Sequence, residues 1–396
     1  MASVGTVSPS LRAPDLGPGS DPGLEWVLRW TGGPPKATDP VEATRRWETS
    51  TAAGLSGPAD GPSRPVPVGV AAGLDVLTSA WRGLGGPPVD GPAMVGARAQ
   101  AAGLGRRGAT SVGGDAHLVE AANGLVCLNL ARPEDLAALP ALVGEALEPT
   151  DWPAVIRAVA GRTKAELVEV ADLLGMPLGV PDTAPGRPLV AAAGGATSRG
   201  GDRPVVVEFG SLWAAPLCGG LLHRAGCRVV KVESVRRRDG ARRGPWSFFA
   251  LLNAGKEEVV VDPSMAAGRQ QIRALVDSAD VVLEGSRPRA LAQWGIEAEA
   301  EVERGAVWAS ITGYGRTGPR SGGVAFGDDA AVSGTLMLHD PPGLVADAIA
   351  DPVTGLLAAV AVRAALGDGT GALLDLSLAG TARWMADPGT GPVEEN

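Results

Sequence analysis

Asp351 stands directly before Pro352 at the head of an apolar run. An Asp–Pro pair there is a helix-start signal in which the carboxylate caps free backbone N–H groups, and from these residues alone Asp351 reads as a cap. Five arginines, Arg236, Arg237, Arg238, Arg242 and Arg243, follow a run that ends in Lys231-Val232-Glu233. Arginine forks suit phosphate oxygens, so this cluster at the carboxyl end of a strand fits a nucleotide-like polyanion, and it fits a solvated charged surface equally well. The turn over 210–216 (GSLWAAP) lacks the glycine fingerprint of dinucleotide folds. Trp213 stands where the backbone would approach a pyrophosphate, which argues against NAD. Asp328 and Asp329 read as solvated or capping acids at a helix start, and His117, His223 and His339 are scattered. No metal site is expected, because Cys127, Cys218 and Cys227 are an odd number without zinc spacing; Cys218 and Cys227 sit in apolar surroundings and read as small hydrophobes, and a reducing, cytoplasmic compartment fits.

The elements that must position these groups change character along the chain. Its 396 residues predict two or three domains. Residues 1–114 alternate short apolar pieces with Pro/Gly/Ser runs such as 49–67, so a mobile loop is expected to break the structure there and function is not expected to start there. Residues 115–185 read as a small α+β domain, with a strand over 123–129, a helix over 133–147 and helical spacing over 152–175. Residues 186–202 have linker composition. Residues 203–386 alternate strand and helix, which predicts βαβ units, a mainly parallel sheet and a site at the carboxyl ends of its strands. Residues 387–396 are a tail. The predicted fold class is α/β, a Rossmann-like, mainly parallel sheet domain beside a smaller α+β domain. A net charge of −9 opposes nucleic-acid binding, and neither a signal peptide nor a membrane span is read.

The 203–386 segment resembles the class III CoA-transferases, the family of formyl-CoA transferase and carnitine dehydratase. The matching residues are Glu208-Phe209, Ala214-Ala215-Pro216, the run 226–233, Leu252-Asn253-Ala254-Gly255-Lys256, Arg287-Pro288, the run 310–319 (SITGYGRTGP) and Ile349-Ala350-Asp351-Pro352-Val353-Thr354-Gly355. Each motif is weak alone, and their order and spacing carry the resemblance. It implies that Asp351 is a nucleophile that holds an acyl group as a mixed anhydride, with Asp347 as the fallback if the loop alignment slips. A cap and a nucleophile are compatible roles, since a helix N-terminus stabilises negative charge. The resemblance further implies that Trp213, Ala214, Lys231, Arg236, Arg237, Lys256, Arg287 and Tyr314 bind substrate or CoA. Coenzyme A would pass through as a substrate, with no permanently bound cofactor. One departure is Gln293, where the family often has an adenine-side arginine.

The implied partners are an acyl-CoA and a carboxylic acid, with no nucleic acid and no membrane, in a homodimer. Three functions stay open: a CoA-transferase, another acyl-CoA reaction such as a racemase or dehydratase, and a non-catalytic acyl-CoA-binding subunit. Ala325 stands where a racemase would need its histidine, which disfavours racemisation. The order of the parts is unusual, because the small-domain-like piece precedes the Lys-Val-Glu half. Either the gene is rearranged, or residues 1–114 are a degraded part of the large domain.

Overall fold

The computed structural model describes residues 23–196, 203–285 and 289–387. Two sheets organise them. Strands β1 (Ala116–Ala121), β2 (Gly124–Asn129) and β3 (Leu178–Gly179) form a small antiparallel sheet in that order. Helices Pro133–Val143, Trp152–Ala160 and Lys164–Leu174 bury Leu139, Val155 and Leu167 against Val126 and Leu128 of β2. The helical spacing over 152–175 resolves into two helices because Thr163 and Glu166 form a capping box that starts a new one.

The second sheet contains β4 (Leu189–Ala196), β5 (Val205–Phe209), β6 (Arg228–Ser234), β7 (Glu257–Val261), β8 (Val281–Glu284), β9 (Val307–Thr312) and β10 (Thr370–Ser377). Their order is β4-β10-β9-β8-β5-β6-β7, parallel throughout except for β4. The Val-rich runs at 205–209, 228–234 and 281–284 are continuous rather than alternating because helices cover both faces of the sheet. The chain runs from β5 outward to β7, then returns to β8 and continues the other way. The β5/β8 boundary is therefore the topological switch point, and ligands of open α/β sheets bind in the crevice beyond such strand ends.

Two expectations change. The stretch 186–202, read as a linker, contains β4, which pairs antiparallel with β10. Its Ala/Gly composition misleads because ladder hydrogen bonds join main chain to main chain and need no side chain. Residues 23–104, expected to be broken by a loop, contribute helices to the main core. Helices Val68–Gly83 and Gly91–Ala102 place Leu74, Leu77, Trp81 and Val95 in one core with Leu356, Leu357 and Val360. Trp384 Nε1 also donates to the Gly33 carbonyl at 2.8 Å.

The helix Ala350–Asp368 crosses the middle of this core. By length and composition alone it could span a membrane, but most of it is buried inside the fold. Its small residues let neighbours approach: a Cβ on Gly355 would lie 2.6 Å from the Ala214 carbonyl oxygen. That contact ties the start of this helix to the start of the Ala214–Arg224 helix, next to the turn that follows β5.

Candidate active site

The helix that carries Asp351 begins two residues earlier than the Asp–Pro signal predicts. Ile349 takes the cap position with no side-chain hydrogen bond, so Asp351 lies inside the first turn. Its carboxylate reaches across to another element and accepts a hydrogen bond from the Gly327 N–H at 3.1 Å. Gly327 is the first residue of the helix Gly327–Ser333, and the approach is close. A Cβ at this position would lie 2.2 Å from the Ala348 carbonyl oxygen and 2.7 Å from Asp351 Oδ2. No side chain larger than hydrogen fits there without moving the carboxylate.

The loop before Asp351 is held residue by residue. Ala346 and Ala348 have φ of 54° and 45°, a left-handed conformation that costs free energy for any residue with a Cβ. Three contacts from three other elements keep it in place. The Ala346 N–H donates to Ser56 Oγ at 2.9 Å, and the Ala348 N–H donates to Asp328 Oδ1 at 3.1 Å. Between them, buried Asp347 accepts a two-pronged ion pair from Arg98, with Nε at 3.0 Å from Oδ2 and Nη2 on Oδ1. The Arg98 guanidinium also lies over the Trp213 ring, 5.8 Å from its centroid.

Asp328, Asp347 and Asp351 thus converge on one guanidinium, and Asp329 neighbours Asp328 on the same helix start. Asp328, Asp329 and Asp347 are buried, and only Asp351 is part-exposed. Burial pushes the Asp351 carboxyl up to about 7, against the pull of Arg98 and of the Gly327 N–H, and with a smaller push from Asp347. Burial and then Asp347 push Asp328 up to about 8. Burial pushes Asp329 up to about 7, although it accepts hydrogen bonds from Phe326 N and Asn129 Nδ2 at 3.0 and 2.8 Å. The expectation that Asp328 and Asp329 are solvated is therefore overturned. Asp329 does cap its helix, but from a buried position, and its Oδ2 has no hydrogen-bond partner among the described residues.

The residues assigned to CoA scatter. Arg236 and Arg237 are exposed just past the carboxyl end of β6 and make no side-chain ion pair among the described residues. Arg287 lies outside the described residues. Ala214 opens its helix beside Gly355 and is buried. Trp213 is buried too, edge-on to Phe248 at 4.9 Å, so it packs as core under Arg98 rather than lining an open cleft.

Lys231 and Lys256 need a larger correction, because both ammonium groups are buried and fully used. Lys231 Nζ meets Glu208 Oε1, the Gly210 carbonyl and Asp239 Oδ2, each at 2.9 Å. Lys256 Nζ meets Glu208 Oε2 and the Pro216 carbonyl at 2.7 Å and Asn253 Oδ1 at 3.0 Å. An ammonium has three hydrogens, so neither lysine has one left for a phosphate. Together they clamp Glu208 and both ends of the 210–216 turn at the switch point. Tyr314 is also buried, its hydroxyl 3.2 Å from the Leu178 carbonyl and 3.1 Å from Ser333 Oγ, where it joins the two sheets. Sequence reasoning missed Arg98, Ser56 and Asn129. Asp328 and Asp329 carried a usable signal, two acids inside an otherwise apolar run.

Residues 204–391 match the sequence profile described as CoA-transferase family III. The chain is 32% identical over 199 residues to an acyl-CoA transferase of Fusarium pseudograminearum, covering 44% of each protein. It is 28% identical over 191 residues to a succinyl-CoA–D-citramalate CoA-transferase of Chloroflexus aurantiacus, covering 44% of this chain and 48% of that protein. To a succinate–glutarate CoA-transferase of Agrobacterium fabrum it is 29% identical over 197 residues, covering 44% of this chain and 49% of the other. The chain thus spans a little under half the length of these curated relatives. The segment that holds the parallel sheet, the 210–216 turn and Asp351 thus matches the CoA-transferase family III profile.

Proposed function

We propose that this protein moves CoA from an acyl-CoA to a carboxylic acid, with Asp351 carrying the acyl group in between. The observation that carries the reading is the burial pattern in the acid cluster: Asp351 is only partly buried while Asp328, Asp329 and Asp347 are buried. A nucleophile must reach its substrate, and a carboxylate held up to about 7 is more basic, hence more nucleophilic, than an ordinary one while still ionising near neutral pH.

In the first step the Asp351 carboxylate attacks the thioester carbonyl, the C–S bond breaks and CoA leaves as thiolate, giving a mixed anhydride. The acceptor carboxylate then attacks the Asp351 acyl carbon, and the donor acid leaves. The thiolate finally attacks the acceptor's carbonyl, which forms the new thioester and frees Asp351. The Gly327 N–H lies at the oxygen that must stay oriented through these steps. Exposed Arg236 and Arg237 supply cations for the CoA phosphates at the strand ends. A homodimer and a cytoplasmic setting belong to the same proposal, the latter supported by three free, buried thiols.

The test uses succinyl-CoA as donor, glutarate among the acceptors, and hydroxylamine as trap, with peptide mass mapping. The expected result is a hydroxamate on Asp351 that Asp351→Asn abolishes together with turnover. Full turnover by Asp351→Asn would refute the reading.

A further inference from the structure

The loop that presents Asp351 is held from outside the family III segment. Ser56 and Arg98 both precede residue 204, and Arg98 makes the one ion pair that Asp347 has among the described residues. Asp347 is fully buried, so its charge needs a partner, and its two neighbours in the chain sit in a strained conformation. A two-pronged guanidinium fixes both the position and the orientation of a carboxylate, which a single ammonium cannot do. The Trp213 face beneath Arg98 limits where that cation can go.

We propose that Arg98 is a positioning residue for the Asp351 nucleophile: paired with Asp347 and stacked on Trp213, it locks the 346–348 loop and places one fixed cation in the acid cluster that favours Asp351 as carboxylate. This rests on the anhydride reading above. The charged groups that act on Asp351 are Arg98 from the Gly91–Ala102 helix and Asp347 from its own loop; Arg98 also acts on Asp328 of the Gly327–Ser333 helix, which Asp329 neighbours, and on Asp115, before β1. The Arg98 cation opposes the burial of Asp351, and Asp347 reinforces it. Arg98 and Asp347 therefore act on Asp351 with opposite signs, and their removal should move its ionisation in opposite directions.

The experiment follows the pH dependence of hydroxamate formation on Asp351 from succinyl-CoA in the full chain. In wild type the rate should rise through about pH 7, the value to which Asp351 is pushed. Arg98→Gln should move that rise up by about one pH unit, which cuts the ionised fraction at pH 7 about fivefold and restores most of the rate by about pH 9. Asp347→Asn should move it down. Arg98→Lys keeps the cation without the fork, so it should leave the pH of the rise close to wild type while lowering the plateau rate. The succinyl-CoA concentration for half-maximal rate should change less than about twofold in all three, because Arg98 acts through Asp347 rather than on CoA. A purely structural Arg98 would lower the rate equally at every pH, and that result, or equal shifts in Arg98→Gln and Asp347→Asn, would overturn the proposal. If Arg98→Gln does not fold, Asp347→Asn and Arg98→Lys decide alone, and an unmoved rise in Asp347→Asn overturns it. Label on wild-type Asp351 with unmoved profiles would sink this inference alone. No label on wild-type Asp351 would sink the anhydride reading and this inference with it.

Discussion

Replacing Asp328 by Asn should stabilise the protein, and increasingly so as the pH rises. In the unfolded chain the Asp328 carboxyl ionises near its ordinary value of 3.8, whereas burial and Asp347 push it in the fold to about 8. Between those values the folded state keeps a proton that the unfolded state releases, so raising the pH favours unfolding. Each pH unit in that window is worth about 1.4 kcal/mol, which bounds the effect at about 6 kcal/mol once the group is fully ionised. Local relaxation and water entry on ionisation reduce it to about 2–3 kcal/mol near pH 8. Asn keeps the oxygen that accepts from the Ala348 N–H, 3.1 Å away in wild type, and does not titrate in this range. Urea unfolding of both proteins at about pH 5 and about pH 8 should give a small gap at the lower pH and a gap about 2–3 kcal/mol wider at the higher one. A gap that stays constant, or an Asn variant less stable at pH 8, would refute the reasoning. Asp329 and Asp351, each pushed to about 7, add slopes of the same sign, so the wild-type optimum should lie on the acid side of neutrality.

The Glu208 clamp and the Gly327 contact make separate predictions. Lys256→Met removes three buried hydrogen bonds and one of the two cations on Glu208, and should cost about 3–5 kcal/mol in urea unfolding. CoA affinity of the folded fraction should change little, and a large affinity loss at unchanged stability would restore Lys256 as a binding residue. Gly327→Ala introduces a Cβ 2.2 Å from a backbone oxygen and 2.7 Å from Asp351 Oδ2. It should destabilise by about 1–3 kcal/mol and slow labelling of Asp351 by about tenfold or more, as followed by hydroxamate formation. Wild-type labelling would show that the carboxylate does not depend on that contact.

The chain's local pattern was enough to read the parallel sheet. The Val-rich runs at 205–209, 228–233 and 281–284 can bury both faces only in a sheet covered by helices, and that information lies within a few residues of each strand. The same holds for the acid at the head of the 350–368 helix, although its cap position was misread by two residues, because the first turn of a helix depends on what its carboxylates find elsewhere. Tertiary structure decided which charges are spent and which are free. Lys231 and Lys256 carry the composition of surface cations, and only the closing of the 210–216 turn over Glu208 buries them. Arg98 and Asp347 are 249 residues apart, and no periodicity links an arginine in an Ala-rich helix to an acid in a distant loop. Helix and strand patterns arise from neighbours along the chain. An ion pair between distant elements exists only after packing has removed water from both partners, so the charge balance around Asp351 became visible only in the folded molecule.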